Sequence, residues 1–437
     1  MGIEKTQPPS PGPSRAVNGE EFERACRFLN ALVPAIQRYG ISSSAMEAQM
    51  AQVAGALNVR GQFLATPTQV QSILQEGDED LQRIHISVVN GGDYDLTKLS
   101  KISELVTQVE SGETTPDAGL ERLRTIDAAP PENGPWLDAV AFVLCGLGFG
   151  VILGLSWVDT LLGGALSLGS FSIVRLATRS PGLTSALELV VATLASTMAT
   201  LLALVLPGTN PMGVAVCAVI FFVPGFGFTL GASELMTGNT TSGLIGFTRA
   251  LVTSTKLLIG ALIGSALVRG WATVPLQDVD AGVPHAWTWV FAPMLVLGLA
   301  MLFRVRRRDL IWPVLGGLLV WSGVEVGSGL GPWQGTFLGA FLLMFASGRF
   351  TRVSGLPAEI ILLPAVMLLV PGVGALGALY DAQTQGILEG FRSTSAVVMQ
   401  IAAILGGLLL GEVIWSLKRV AVSARVFRRP GGAAGHG

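Results

Sequence analysis

The sequence predicts a mainly α, polytopic membrane protein: about ten transmembrane helices in two inverted five-helix repeats, preceded by a small α+β cytosolic domain. Three observations predict it. Hydrophobic residues make up 50% of the 437 positions and charged residues only 13%, where soluble domains carry about 25% charged. The charge is unevenly spread: residues 1–136 hold 11 basic and 18 acidic side chains, whereas 137–437 hold 17 and 12 over more than twice the length. Finally, a VPGxG motif occurs twice, at 223–227 and at 370–374. The net charges of the two parts, −7 and +5, nearly cancel, so the total of −2 excludes no partner class by itself. Nucleic acid is not expected as a partner, because the basic clusters flank apolar runs instead of forming a stripe of their own.

Residues 1–19 are Pro- and Ser-rich and read as disordered. From Glu20 to Tyr39, Phe22, Cys26, Leu29, Leu32, Val33 and Ile36 recur at helical spacing. Ser44 and Glu47 have the spacing of a capping box and open a second helix to Leu57. Strand-like segments follow at 61–66, 68–75 and 83–89. Asp95 and Thr115-Pro116 then open two helices, near 96–111 and 116–126. This is the expected cytosolic domain, 20–127, with a linker at 128–136.

Ten apolar spans come next, at about 138–156, 157–176, 186–206, 212–231, 244–268, 287–304, 310–326, 332–347, 356–374 and 391–416. Each is near the ~20 residues that a bilayer core demands. The fourth and ninth contain Pro-Gly and are expected to be broken or re-entrant. With the N-terminal domain inside, thirteen Lys/Arg fall in the inner loops and tail, against Arg269 alone outside. That bias orients the chain with both termini cytoplasmic in the cytoplasmic (inner) membrane, and leaves 418–437 as a basic tail. No signal peptide is expected, since the first run long enough to insert starts near residue 137.

The two VPGxG segments lie 147 positions apart, and at the same offset Glu234 matches Asp381. Further on, Gly243-Leu244-Ile245 and Arg249 match Gly386-Ile387-Leu388 and Arg392. The membrane part thus divides into five-span halves, 137–270 and 285–417. Five is odd, so the second half enters from the opposite side. Inverted repeats with interrupted helices mark secondary transporters, because a broken helix frees backbone N–H and C=O groups that a polar cavity can use.

VPGFGFTLGASELMTGNTTSGLIGFTRALV (223–252) and LLPAVMLLVPGVGALGALYDAQTQGILEGF (362–391) resemble the two membrane repeats of the threonine/serine exporter family. In the N-terminal region VAGALNV (53–59), ATPTQVQSIL (65–74) and the stretch 95–126 resemble that family's cytosolic domain. The resemblance implies efflux of threonine and serine, small amino acids, driven by the proton-motive force, with protons as the coupling ion.

The residues themselves suggest where a substrate would bind. Pro224, Gly225, Gly227 and Pro371, Gly372, Gly374 would free helix ends whose N–H groups can hold a carboxylate. A plain kink is the alternative. Lys256 lies near the middle of the 244–268 span, where a charge is costly and should face the interior, and Arg249 is seven residues earlier on the same face. Both would suit a carboxylate; a snorkelling Arg and a structurally paired Lys are the alternative. Glu234 and Asp381 would hold the substrate ammonium or a proton, or would simply cap a helix. Arg392 is the second-half counterpart of Arg249. Gly146-x-x-x-Gly150-x-x-x-Gly154, Gly260-x-x-x-Gly264 and Gly335-x-x-x-Gly339 are helix-contact faces, within one chain or in a homo-oligomer.

No cofactor and no metal site is expected: Cys26, Cys145 and Cys217 stand in no ligand spacing, and no hydrolase, Walker or dinucleotide motif occurs. His85 with Cys26 has no catalytic spacing. The chain is therefore not read as an enzyme. The rival reading, a membrane-anchored enzyme or sensor whose cytosolic domain is the active part, does not need a symmetric pair of motifs.

Overall fold

The computed structural model describes residues 19–40, 43–76, 82–89, 94–236, 238–272, 282–370, 372, 374, 377–378 and 386–427. The first eighteen residues, where disorder is expected, fall outside it. The chain forms two compact units, one of Met1–Glu132 with Ser233–Gly246, the other of Asn133–Ala232 with Phe247–Gly437.

In the first unit, α1 (Gly19–Arg38) buries the apolar stripe read from the sequence, from Phe22 through Leu29 and Leu32 to Ile36. Helix α2 is Ser43–Ala56. The Ser44 side chain, half of the expected capping box, lies outside the described part. The Glu47 Oε1 accepts the N–H of Ala65, 2.8 Å away on a strand. That strand, β1 (Arg60–Thr66), joins β2 (Gln69–Gln75) by a tight Pro67-Thr68 turn, and β3 (Gln82–Val88) completes an antiparallel sheet of order β1-β2-β3. Val70, Ser72 and Leu74 of β2 are buried, while Leu64, Ile84, Ile86 and Val88 are exposed. Alternation along a strand sends successive residues to opposite faces, so only one face of the sheet is covered. Helices α3 (Leu96–Glu110) and α4 (Pro116–Ala128) start where the sequence places them. The Asp95 carboxylate accepts the Lys98 N–H at 3.0 Å, and Thr115 caps α4 with Pro116 in its first turn.

The second unit is built of α5 (Pro135–Ile152), α6 (Trp157–Ala177), the short α7 (Pro181–Ser185), α8 (Leu187–Val205) and α9 (Pro211–Val219). Helices α10 (Gly225–Met236) and α11 (Thr240–Arg269) cross the boundary between units. Then come α12 (Thr288–Leu302), α13 (Ile311–Ser328), α14 (Pro332–Ser354), α15 (Glu359–Val366) and α16 (Ile387–Phe427). Seven helices among the described residues are long and apolar enough to cross a membrane, and α9 with α10 forms an eighth path bent by 53°. The two remaining expected spans differ for identifiable reasons. Helix α14 has 23 residues but ends in a polar stretch with Arg349 and Arg352. Helix α15 stops after 8 residues, and most of the segment 371–385 lies outside the described residues.

Glycines set the helix contacts, because a Cβ would collide at each. On α11, Gly260 approaches the Leu189 carbonyl oxygen of α8 and Gly264 that of Thr193; a Cβ would sit 2.5 and 2.3 Å from those atoms. On α16, Gly407 approaches the Phe337 carbonyl of α14 and Gly411 that of Phe341, at 2.4 and 3.1 Å. Gly163 and Gly164 of α6 face Cys217 of α9 and Leu147 of α5; Gly316 and Gly317 of α13 face Ile361 of α15 and Val296 of α12. Between α5 and α12, Gly148 meets Leu295 while Gly298 meets Cys145. Of the GxxxG faces read from the sequence, those of α5, α11 and α14 are thus occupied within the chain, except that Gly154 instead terminates its helix at φ 67°.

A buried carboxylate fastens the α6 and α9 ends. Asp159, fully buried, accepts the Asn210 backbone N–H at 3.0 Å, and Asn210 in turn caps α9 by accepting the Gly213 N–H at 3.0 Å.

Candidate functional site

The break between α9 and α10 arises from Pro224, which lacks the N–H that would continue the helix. The chain passes through a 3-10 turn at Ile220–Phe222, and the Gly225 N–H donates to the Val223 carbonyl at 2.8 Å, closing a three-residue turn around the proline. In the second half the Gly372 N–H donates to the Val370 carbonyl at 2.9 Å. The two turns meet. A Cβ on Gly225 would lie 2.0 Å from a Val370 methyl and 3.1 Å from the Gly372 backbone. A Cβ on Gly372 would lie 2.5 Å from a Val223 methyl and 3.4 Å from Gly225. Each glycine thus contacts the valine of the other turn, and the backbones touch because neither carries a side chain.

Polar groups gather around this crossing. Gln400, inside α16, donates Nε2 to the Leu369 carbonyl at 2.9 Å, satisfying an acceptor next to the turn. Thr229, buried on α10, donates to the Gly225 carbonyl at 3.3 Å. Phe228, Ala250, Ile401 and Leu405 seal one side by packing α10, α11 and α16 together. Gly227 faces Ala250. Sequence reasoning missed Gln400, and a polar residue within an otherwise apolar run was the available signal.

The other residues singled out from the sequence have the following surroundings. Lys256 Nζ donates to the Ser185 carbonyl at 3.1 Å and to Glu188 at 3.4 Å, tying α11 to the α7–α8 corner. This places Lys256 level with the first turn of α8. The reason is length: 30 residues of α11 extend ~45 Å, about 15 Å more than a bilayer core. Arg249 is exposed on the same helix. Glu234 is buried in the first unit, where the Ser242 hydroxyl donates to it at 2.7 Å. Arg392 pairs at 2.5 Å with Glu389 of the first turn of α16. Gly374 is exposed. Pro371 and Asp381 lie outside the described residues.

The N-terminal unit offers little chemistry of its own. Burial pushes the Cys26 thiol up to about 11, so it is a protonated, unreactive packing group. His85 sits on β3 opposite Ser72. Burial also raises the Glu47 carboxyl, with a smaller push from the Glu234 carboxylate. Among the described residues no three His, Cys, Asp or Glu side chains gather as a metal would require.

Comparison with known proteins points in one direction. A family model described as "Putative threonine/serine exporter" matches residues 28–268, and one described as "Threonine/Serine exporter, ThrE" matches residues 288–414. An uncharacterised protein of Schizosaccharomyces pombe is 23% identical over 412 residues, 89% of this chain and 53% of that one. Pheromone-regulated membrane protein 10 of Yarrowia lipolytica is 25% identical over 382 residues, 82% of this chain and 30% of that one. A protein of Corynebacterium glutamicum named threonine/serine exporter is 23% identical over 368 residues, 78% of this chain and 70% of that one. The chain spans about half or less of the length of these fungal relatives. No solved structure matches.

Proposed function

The chain belongs to the threonine/serine exporter family, and on that premise we propose that it is a secondary transporter carrying threonine and serine out of the cytoplasm. The bacterial relative's name supports this substrate class. The transport is driven by the proton-motive force and needs no cofactor. The protein resides in the cytoplasmic membrane with both termini inside, as the bias of basic residues supports. Its parts are a cytosolic domain at 20–127, a linker at 128–136, membrane repeats at 137–270 and 285–417, and a basic tail.

The observation that carries this reading is the reciprocal contact of Gly225 with Val370 and of Gly372 with Val223. A two-fold relation between two similar halves produces such paired contacts. The matching approaches of Gly260 and Gly407, of Gly264 and Gly411, and of Gly148 and Gly298 support the same relation. Ten spans in two inverted halves then give two near-equivalent states, open to opposite sides. The substrate carboxylate binds N–H groups at Pro224, Gly225, Gly227 and their counterparts Pro371, Gly372 and Gly374, with Arg249, Lys256 and Arg392 supplying positive charge. Glu234 and Asp381 serve the ammonium or the proton. One methyl is worth only about 1–3 kcal/mol, so threonine and serine should be poorly distinguished.

The test is efflux of labelled threonine, serine and a panel of other amino acids from proteoliposomes, with and without a pH gradient. Flux of threonine and serine that collapses with the gradient is expected. Flux that ignores the gradient would remove the proton coupling, and none for any amino acid would remove the exporter reading.

A further inference from the structure

A cavity of about 270 Å³ runs between α8, α9 and α11, entirely within the second unit. None of the residues singled out from the sequence as binding groups lines it. Its floor is Ala192, Val219 and Leu257, which pack with Val191, Ala218 and Val223 in one apolar cluster. Val223 is the residue that touches Gly372. The cavity is thus stopped at its inner end by a plug resting on the crossing of the two turns. Its mouth lies where α8 ends and α9 begins, with Thr200, Pro211 and Met212 on one side and Arg269 on the other.

The wall chemistry is specific. Most of it is aliphatic, but three hydroxyls interrupt it, those of Ser196, Thr200 and Ser265. Each already spends its proton on a backbone carbonyl: Ser196 on Ala261 at 2.8 Å, Thr200 on Ser196 at 2.7 Å, Ser265 on Leu262 at 3.0 Å. The oxygens therefore face a ligand as acceptors only. Acceptors in the slot and a cation at its rim match a molecule with an ammonium at one end and a carboxylate at the other. A volume of about 270 Å³ leaves room for a small amino acid. Arg269 closes α11, and in the expected topology the loop that follows it is an outer one.

We propose that this slot is the outward docking site of the transported amino acid, with the carboxylate on Arg269 and the ammonium on the hydroxyl oxygens of Ser196, Thr200 and Ser265. The inference rests on the exporter reading. Opening of the plug at Val219, Val223 and Leu257, when the crossing shifts, would then connect the slot to the inner half of the pathway. A lipid chain is the competing occupant, but an acyl chain has no use for three acceptors.

The experiment uses the full chain in proteoliposomes and labelled L-threonine. Arg269→Gln, at an exposed position, is expected to raise KM for threonine about tenfold with a much smaller change in maximal flux. Ala215→Trp, which fills the slot, is expected to abolish flux. Ser265→Cys is expected to react from outside with a membrane-impermeant thiol reagent, and millimolar threonine should slow that reaction severalfold. Flux by the unaltered protein that survives both Arg269→Gln and Ala215→Trp would overturn this inference alone, as would Ser265→Cys labelling slowed by a short-chain phospholipid but not by threonine. Absence of any flux in the unaltered protein would remove the exporter reading and this inference with it.

Discussion

Gln400 reaches from α16 to the Leu369 carbonyl, 2.9 Å away, beside the turn that the Gly372 N–H closes on Val370. A carbonyl beside a proline has no water to turn to in the lipid interior, and this side chain supplies it with a donor. Gln400→Leu should lower threonine flux about tenfold and cost roughly 1–3 kcal/mol of stability, the usual penalty for a stranded buried acceptor. Gln400→Asn, which is one methylene shorter, should fail to rescue it. Proteoliposome flux and a thermal-shift assay in detergent measure both, and wild-type flux in Gln400→Leu would show that the bond is dispensable.

The crossing itself makes a coupled prediction. Gly225→Ala and Gly372→Ala each force a methyl into a valine 2.0 and 2.5 Å away, which overpacking data put at about 1–3 kcal/mol. Removing the opposing methyls should relieve the clash, so Gly372→Ala with Val223→Ala should melt higher than the sum of the single effects predicts. The pair Gly225→Ala with Val370→Ala should behave the same way. Additive melting shifts in both pairs would mean that these residues are not in contact.

Lys256 pairs with Glu188, but both side chains keep partial exposure, 38% and 26%. Such a pair contributes at most about 1 kcal/mol. Lys256→Ala should therefore shift the melting temperature by only a few degrees, while flux falls at least tenfold if its charge serves the substrate. Retained flux would take Lys256 out of the binding set and leave it as a tether of the α7–α8 corner.

Glu47 makes stability depend on pH. Burial raises its carboxyl in the folded protein, so between the unfolded value and the raised one the folded state binds more protons. Stability is then greatest below the ordinary Glu range and falls as pH climbs through the raised value. Glu47→Gln keeps an oxygen for the Ala65 N–H and removes the buried charge, so it should stabilise the protein at pH 7 and lose that advantage near pH 4. Melting curves of the full chain at both pH values test this, and an equal gain at both would exclude the charge as its source.

The thiols should be silent. Cys26, Cys145 and Cys217 are all buried, and the Cys26 thiol is held near 11. Iodoacetamide at pH 8 should leave all three unmodified in folded protein and label all three in urea, as read by mass spectrometry. Fast labelling of Cys26 in the folded protein would contradict its burial.

Much of the architecture is legible in the sequence because it rests on local chemistry. Asp95 and Thr115 announce helix starts by capping, the α1 stripe repeats at helical spacing, and Pro224-Gly225 can only interrupt a helix. What is not legible depends on distance in the chain. The meeting of Gly225 and Gly372 is suggested by their shared motif but not contained in it. The partners of Lys256, Ser185 and Glu188, stand 71 and 68 positions away, so no local pattern announces them. The bond of Glu47 to the Ala65 N–H is not legible either, since it arises only when β1 folds against α2. Gly407 and Gly411 make contacts like those of Gly260 and Gly264, but the sequence match of Gly243 and Arg249 with Gly386 and Arg392 runs at an interval of 143 and does not pair them.

The closeness of Gly225 to Gly372 has a consequence for how such a protein can change over generations. Two codons 147 positions apart answer to one shared demand, since bulk gained at either must be given up at Val370 or Val223. At this spot they inherit together, and variants that arise there singly should be lost from a population faster than their paired counterparts.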